Sequence, residues 1–164
     1  MTVANLRLNP FIIQWGSSIY ARIVATNVYG SSKASDAGNG AVILTYPDAP
    51  TNLAVNSEIT VGSTVGLTWD EGAQNGGTAV LDYTVYSRSS LENDWTIRSS
   101  IVGTSATLVN FNLGLTYFFK VQARSAFDFS LGYSNEVSVL TAIGPNQPDA
   151  PTTTVDASNE NVII

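Results

Sequence analysis

The sequence predicts an all-β fold, a sandwich of two antiparallel sheets with seven strands. Short segments that alternate apolar and polar residues, rich in Val, Thr and Tyr, recur every 8–15 residues between clusters of Gly, Asn, Asp and Ser. This spacing is typical of β-sandwiches. No stretch shows the apolar periodicity of a convincing amphipathic helix. The third observation is an internal repeat of about 100 residues, the size of one domain.

Two pairs of matching segments define the repeat. Residues 46–51 recur as residues 147–152, 101 positions later, with the run Pro-Asp-Ala-Pro-Thr unchanged. Residues 15–25 match residues 113–123 at a spacing of 98. Because loops tolerate changes of length, a difference of three residues between the two spacings is compatible with one repeating unit.

The repeat divides the chain into three parts. Residues 47–146 are predicted to form one complete unit. Residues 1–46 are expected to be the C-terminal half of a preceding unit, and residues 147–164 the first strand of a following unit. The chain is therefore expected to be a piece of a longer tandem array. The alternative is that residues 1–46 are an unrelated extension.

Seven strands are predicted within the complete unit, at about 51–56, 62–70, 81–88, 94–99, 104–109, 115–125 and 133–141. Ser57 and Glu58 are expected to end the first strand. The segment 70–78 is dense in Gly and Asn and has no periodicity, so it is predicted to be the loop between the second and third strands. Residues 91–93 and 110–114 provide other connections.

Period-two alternation assigns the inward face of each strand. From the second and third strands the residues expected in the core are Val65, Leu67, Trp69, Leu81, Tyr83 and Val85. In the sixth strand the alternation places four residues inward, Tyr117, Phe119, Val121 and Ala123, and four outward, Phe118, Lys120, Gln122 and Arg124.

Composition excludes several kinds of chemistry. The 164 residues contain no Cys and no His, which removes disulfides, thiolate nucleophiles, Ser-His-Asp triads and Cys- or His-ligated metals. Seven Lys and Arg against thirteen Asp and Glu disfavour nucleic-acid binding. The longest apolar runs are only a few residues, too short to insert into a membrane. We predict no catalytic residue, no cofactor and no enzyme activity.

A carboxylate cluster is the remaining candidate for a metal site. Asp70, Glu71 and Asp128 are expected near one end of the sandwich, because the loops that carry them should be neighbours. A calcium site needs six to eight oxygen ligands, and no spacing in the chain resembles a calcium loop. No metal site is therefore predicted.

Several elements, taken in order, resemble a fibronectin type III domain. They are the proline-rich segment 47–50, Leu67-Thr68-Trp69 of the second strand, Tyr83-Thr84-Val85 of the third, Phe111 six residues before Tyr117, the sixth strand 117–123, and the segment 132–136 before the last strand. The resemblance covers residues 47–141 well and residues 1–46 more weakly. It implies an immunoglobulin-like sandwich whose structural core includes Trp69, Tyr83, Phe111, Tyr117 and Val121.

The resemblance also implies a tyrosine corner, in which the hydroxyl of Tyr117 bonds back to the loop backbone. The partial unit departs from this pattern. Ile19 occupies the corner position at a spacing of 98, and Tyr20 follows it. Either that corner lacks its hydroxyl bond, or its register is shifted by one residue.

Four apolar residues are candidates for an interface. Trp15 falls where the complete unit has Leu113, in the loop before the repeated strand, and we expect it to be exposed and to pack on a neighbouring domain. Phe127, Phe129 and Leu131 are unusual in a loop. They either make an adhesive contact or tuck against the sandwich end or the adjoining domain. Arg-Gly-Asp, which some members of the family carry in this loop, is absent from the chain.

Two functions are compatible with these observations. The first is a structural or adhesive spacer in a tandem array, part of an extracellular or cell-surface rod or filament, as in large protist surface proteins that the chain resembles. Its partners would be neighbouring repeats or other copies, including strand complementation between broken ends. The alternative is a carbohydrate- or protein-binding accessory module of a larger extracellular enzyme or receptor.

Overall fold

The computed structural model describes residues 2–152, 154–156 and 161–163. Its elements in chain order are α1 Val3–Arg7, β1 Ser18–Ile19, β2 Thr26–Asn27, β3 Gly30–Ser31, β4 Ala41–Val42, β5 Thr51–Val61, β6 Thr64–Asp70, β7 Val80–Ser89, β8 Thr96–Ile101, β9 Ser105–Leu108, β10 Thr116–Ser125, β11 Val137–Leu140, β12 Thr154–Asp156 and β13 Asn161–Ile163. Helix α1 is a single turn with no buried residue, capped by the Thr2 side chain.

The seven strands β5 to β11 form a sandwich over residues 47–141. One sheet has the strand order β5-β6-β9 and the other β11-β10-β7-β8, and every pairing is antiparallel. This arrangement confirms the predicted all-β, immunoglobulin-like sandwich. Most ends of the observed strands differ from the predicted ends by a few residues.

The core lies between the inner faces of the two sheets, where alternate residues point. In β10 each odd-numbered residue from Tyr117 to Ser125 is buried and each even-numbered one is half-buried. Phe119 and Val121 are fully buried. Removing a side chain of this size from water stabilises the fold by about 1.5–3 kcal/mol. The two sheets are therefore held together mainly by these alternating apolar positions. The alternation is wrong for Leu81, which is 50% exposed, because the register of β7 against β10 shifts there and Val80 packs against the core instead.

The first strand is longer than predicted, because Ser57 and Glu58 lie inside β5 and do not end it. The register of β5 against β6 shifts between Asn56 and Val61. There the Thr60 hydroxyl accepts the Gly66 N–H at 3.0 Å and donates to Asn56 O at 2.7 Å. A side chain thus replaces part of the backbone ladder and lets the strand continue.

The last strand, β11, is shorter than predicted, because side-chain hydroxyls replace backbone pairing before Val137. Ser134 donates its N–H to Val121 O at 2.8 Å, and its hydroxyl accepts the Val121 N–H at 3.0 Å. Ser130 makes the same pair of bonds with Ala123, at 2.8 and 3.2 Å. The chain beside β10 is therefore bonded well beyond the strand itself.

Residues 16–43, here called the N-terminal hairpin, repeat this bonding pattern. Ser35 exchanges the same two bonds with Ile23, at 2.9 and 3.0 Å. Ser32 does so with Ala25, at 2.8 and 3.0 Å. The pairs Ile23–Ser35 and Ala25–Ser32 thus have the same two hydrogen bonds, one from the serine N–H and one to its hydroxyl, as the serines beside β10.

The register of the N-terminal hairpin also matches. Ser18 pairs with Val42 as Thr116 pairs with Leu140, at a spacing of 98 in both strands. Ile19 therefore occupies the position of Tyr117, and the register is not shifted. Tyr20 is 65% exposed, and its ring lies over Gly40 on the returning strand. The corner of this hairpin lacks the tyrosine hydroxyl bond.

Beyond the sandwich, β12 and β13 pair antiparallel as a short hairpin. Residues 153, 157–160 and 164 lie outside the described part of the chain. The expected first strand of a following unit, residues 147–164, falls partly on these positions and stays a prediction.

Candidate functional site

The segment that leads into the sandwich is bound to the loop between β6 and β7. Thr45 N–H donates to Gly76 O at 2.9 Å, and Asp48 N–H donates to Gln74 O at 2.8 Å. The Asp48 carboxylate in turn accepts the Gln74 N–H at 3.0 Å. We call these three hydrogen bonds, together with the contact between Gly16 and Gly77 of the same loop, the junction.

Glycines allow the two backbones at the junction to touch. A Cβ on Gly16 would lie 2.8 Å from Gly77 O, and a Cβ on Gly77 would collide with the Gly16 N. Both residues have positive φ, +84° and +92°. Only glycine tolerates both the positive φ and the short distance between the two backbones. The N-terminal hairpin therefore contacts the sandwich through main-chain atoms of Gly16 and Gly77.

A cleft of about 350 Å³ opens beside the junction, and four of its lining residues are Trp15, Tyr46, Pro47 and Leu131. The Arg7 guanidinium carbon lies 4.5 Å from the centroid of the Trp15 ring. Trp15 is half-buried, and Leu131 is 78% exposed. The wall of this cleft is therefore mixed, since Thr45, Asp48 and Gln74 also line it, and it is partly open to solvent.

The loop after β10 reaches the same segment. The rings of Phe127 and Tyr46 pack edge to face, with their centroids 5.1 Å apart. Phe129 lies farther along the loop, 5.9 Å from the Arg124 guanidinium carbon. The structure thus brings Trp15, Phe127 and Leu131 to the region of the junction, and Phe129 to the adjacent sheet face.

The residues predicted for the structural core lie in the sandwich interior. Trp69, Tyr83, Phe111, Tyr117 and Val121 are all at most 5% exposed. The Tyr117 hydroxyl accepts the Asn112 N–H at 3.2 Å, which is the corner bond that the family resemblance implies.

Two buried polar atoms of this core, the Trp69 Nε1 and the Tyr83 hydroxyl, have no hydrogen-bond partner among the residues that the structure describes. The two rings contact each other with centroids 5.5 Å apart. Burial raises the pKa of Tyr83 to about 12, and the Glu71 carboxylate adds to the shift. The phenol is therefore neutral at any physiological pH.

The outer face of the sheet formed by β7, β8 and β10 carries alternating cations and aromatic rings. Lys120 Nζ lies 3.9 Å from the Tyr133 ring centroid and 4.2 Å from that of Trp95. Arg88 sits over Phe118, with 4.3 Å from its guanidinium carbon to the ring centroid. Contacts of this kind stabilise by about 0.5–1 kcal/mol at exposed sites. They account for the position of Trp95 on this face.

The same face ends in an ion pair between Arg124 and Asp82. The Arg124 hydrogen bond holds the pKa of the Asp82 carboxyl below its usual value, against the effect of burial. Asp70, in another part of the sandwich, accepts a hydrogen bond from the Asn52 side-chain amide at 2.8 Å. Within the described residues, no three acidic side chains come close enough together to hold a metal ion.

Sequence reasoning missed the residues that form the junction. Gly76 and Gly77 were recognisable as loop glycines, but their partners Gly16 and Thr45 were not. The Gly-Gly pair and the aromatic residue before Pro47 are the signals that the sequence contains. In the parts of the chain that the structure describes, no helix is long and apolar enough to cross a membrane.

The described residues form an immunoglobulin-like sandwich module. The residues described above pack in its core or contact one another on its surface. A sequence model of the fibronectin type III domain matches residues 48–140, more than half of the chain. The chain therefore belongs to the fibronectin type III family, whose domains are generally non-catalytic modules.

Relatives of the chain have different functions. It is 34% identical over 102 residues to Chitinase A1 of Niallia circulans, covering 62% of this chain and 13% of that protein. It is 31% identical over 129 residues to titin of Drosophila melanogaster, covering 76% of this chain and 1% of titin. The chain thus spans a small part of the curated relatives it matches, and their whole-protein activities do not pass to it directly.

Solved structures show the same fold. The crystal structure of titin domains A168–A170 matches with a TM-score of 0.62 and 23% identity, covering 79% of this chain and 43% of the other. A fourth fibronectin type III domain of human origin, solved in solution, matches with a TM-score of 0.55 and 23% identity, covering 65% and 88%. At this identity the likeness is one of fold.

Proposed function

We propose that this chain is a structural or adhesive spacer of a tandem fibronectin type III array, in an extracellular or cell-surface rod or filament. Its partners are the neighbouring repeats of the same chain. The observation that carries the proposal is the hydrogen-bond pattern of the N-terminal hairpin. Its strand register and its Ala25–Ser32 bond repeat those of β10 and the segment after it at a spacing of 98, and its Ile23–Ser35 bond repeats Val121–Ser134 with one residue less in the loop. Residues 1–46 are accordingly the C-terminal half of a preceding unit, and residues 47–146 a complete one.

The junction supports a spacer with a set angle between its units. The Gly16–Gly77 contact joins the preceding hairpin to the sandwich, and the Thr45–Gly76 hydrogen bond binds the segment between them to the same loop. Pro47 and Pro50 stiffen the segment between them, because their φ is fixed. A short, bonded connection of this kind makes a semi-rigid rod.

The variant Gly77→Ala tests the junction. Backbone ¹⁵N relaxation of the wild-type chain should give one common tumbling time for the hairpin and the sandwich. Gly77→Ala should give the hairpin faster, independent motion, because the new Cβ meets the Gly16 N. Gly103→Ala is the matched control, since Gly103 has a similar φ of +102° and open space around it. Independent tumbling in the wild-type chain would contradict a semi-rigid junction.

Electron microscopy of the natural protein tests the array. We expect elongated particles with a repeat of roughly 35 Å, the length of about ten residues of strand. Antibody labelling of unpermeabilised cells should detect the protein at the surface. A compact particle, or labelling only after permeabilisation, would contradict the proposal.

A second candidate function is a binding accessory of a larger extracellular enzyme or receptor. The similarity to part of Chitinase A1 favours it, as do the partly exposed rings of Trp95 and Tyr133. Co-sedimentation with insoluble chitin distinguishes the two functions. Binding that Trp95→Ala abolishes and Ile97→Ala leaves intact would support the accessory module, because Ile97 is an exposed neighbour without a ring. The spacer predicts no binding by either variant or by the wild type.

A further inference from the structure

The loop between β6 and β7 contains a pair of residues with a chemistry of its own, Asn75 followed by Gly76. In an Asn-Gly pair the backbone nitrogen of the glycine can attack the side-chain amide of the asparagine, because no Cβ on the glycine stands in the way. The chain has one other such pair, Asn39 and Gly40, outside the sandwich. The two pairs can therefore be compared within one molecule.

The fold holds the side chain of Asn75 close to the backbone nitrogen of Gly76. Asn75 Oδ1 accepts the Gly77 N–H at 3.0 Å, and Gly76 is the residue that this hydrogen bond spans. The Asn75 side chain is therefore folded back along the main chain at the place where the attack begins. Holding two reacting groups side by side in this way removes much of the entropic cost of bringing them together.

The Gly77 N–H also supplies a donor that the attack requires. As the nitrogen approaches Asn75 Cγ, negative charge develops on Oδ1, and a donor already bound to Oδ1 stabilises that charge. The Gly76 N–H donates to no acceptor among the residues that the structure describes, so no hydrogen bond of this group has to break first. Asn75 is exposed, and its amide is therefore open to water.

We propose that Asn75 is a site of spontaneous deamidation in the folded protein, and that its isoaspartate product opens the junction. The Gly76 nitrogen gives its proton to water and forms a bond to Asn75 Cγ. The Cγ–Nδ2 bond breaks, and Nδ2 takes up a proton and leaves as ammonia, so that a succinimide ring remains. Water then opens the ring at either carbonyl and gives aspartate or isoaspartate. Asparagine and water thus become an acid and ammonia, and nothing is oxidised or reduced.

The isoaspartate product does not fit the junction. Its main chain runs through the former side chain and has one more methylene between positions 75 and 76. The Gly76 backbone has no room for this shift, because Gly76 O accepts the Thr45 N–H at 2.9 Å and a Cβ on Gly76 would collide with Thr45 O. The new carboxylate also follows Gln74, whose N–H is bonded to the Asp48 carboxylate at 3.0 Å, so two like charges repel. We expect the Thr45–Gly76 hydrogen bond to break.

Peptide mapping by mass spectrometry tests the first part, after incubation of the folded chain at mildly alkaline pH. Asn75 should convert at least about tenfold faster than Asn39, because the Gly77 N–H is fixed on the Asn75 oxygen. In urea the two pairs should convert at similar rates, since this hydrogen bond is lost. Equal rates in the folded chain, or a slower Asn75, would overturn the proposal. A difference that persists in urea would overturn it as well, because the fold would not be its cause.

Amide hydrogen exchange tests the second part. In the isoaspartate form the Thr45 N–H should exchange at least about tenfold faster than in the fresh chain. Asn75→Gln is the matched control, because its longer side chain would have to close a larger ring and therefore stays an amide. Incubation of this variant should leave the Thr45 exchange unchanged. Unchanged Thr45 exchange in the isoaspartate form of the wild-type chain would overturn the opening of the junction.

A second variant separates the added charge from the altered main chain. Asn75→Asp gives the other product directly, with the ordinary main chain and with an oxygen that can accept the Gly77 N–H. It should speed the Thr45 exchange less than isoaspartate does. An equal effect of both products would overturn the role given to the extra methylene.

This proposal goes beyond the spacer function and does not depend on it. Both measurements report on the loop itself, so they keep their meaning if the hairpin and the sandwich of the fresh chain tumble independently. One common tumbling time together with an Asn75 that stays an amide would contradict only the deamidation. Independent tumbling together with rapid conversion of Asn75 would contradict only the semi-rigid spacer.

Discussion

Ser134 binds the segment that precedes β11 to Val121 of β10 through both its N–H and its hydroxyl, at 2.8 and 3.0 Å. The bonded Val121 N–H is buried in the sheet, and Ser134 itself is 9% exposed. The Ser134 hydroxyl therefore accepts the N–H that a backbone carbonyl would accept if the β10–β11 pairing continued to this point.

Replacing this serine should destabilise the sandwich. Ser134→Ala leaves the buried Val121 N–H without a partner, which costs about 1–3 kcal/mol. The free energy of unfolding in urea gives the change directly. Ser35→Ala is the matched variant in the N-terminal hairpin. It should cost less than about 0.5 kcal/mol in this chain, because water replaces the exposed bond. Equal losses from both variants would contradict this account.

The corner tyrosine should contribute through its hydroxyl alone. Tyr117→Phe keeps the buried ring and removes the bond to Asn112 N–H, so we expect a loss of about 0.5–1.5 kcal/mol in urea unfolding. Tyr20→Phe removes an exposed hydroxyl one residue from the equivalent corner position and should change nothing measurable. A silent Tyr117→Phe would show that the corner bond does not stabilise the fold.

The centre of the core should be the most sensitive position. Phe119 is fully buried, and its ring packs edge to face on Phe111 with centroids 5.5 Å apart. Phe119→Ala should cost about 3–5 kcal/mol, because it opens a cavity that neighbouring side chains fill only in part. Leu131→Ala, at a residue 78% exposed, should stay within about 0.5 kcal/mol. A loss under about 1 kcal/mol for Phe119→Ala would contradict the described core.

Tyr83 should make the fold sensitive to alkali. Its pKa is raised from 10.0 to about 12 by burial and by Glu71. Below pH 10 the phenol is neutral in both states and has no effect on the pH dependence. Between pH 10 and pH 12 the unfolded chain releases this proton and the folded chain keeps it, so stability falls as pH rises.

Tyr83→Phe should remove this component of the alkaline slope, measured as the change of Tm with pH. It should leave stability at pH 7 unchanged or slightly higher, because the hydroxyl has no partner in the core. Tyr29→Phe, at a ring 95% exposed, controls for the loss of one phenol. If the alkaline slope of Tm is the same in Tyr83→Phe and the wild type, the Tyr83 phenol is in contact with water and its pKa is not raised.

Alternation and turn residues were sufficient to predict the sandwich, because a half-buried strand must place its apolar residues with period two. The end of β5 was missed because Thr60 substitutes its side chain for the ladder, which no propensity reveals. The resemblance predicted the Tyr117 bond through a spacing of six residues from Phe111 to Tyr117. The junction was not predictable, since the approach of Gly16 to Gly77 depends on how two distant segments are placed in space.

The few bonds at the junction have a mechanical consequence. Tension applied along the chain would load Thr45–Gly76 and Asp48–Gln74, a pair of main-chain bonds, whereas the sheets beneath are held by many. We expect the junction to yield first and to lengthen the chain by a small step while the sandwich stays folded. In the proposed array, a junction of this kind would extend under load before its modules unfold.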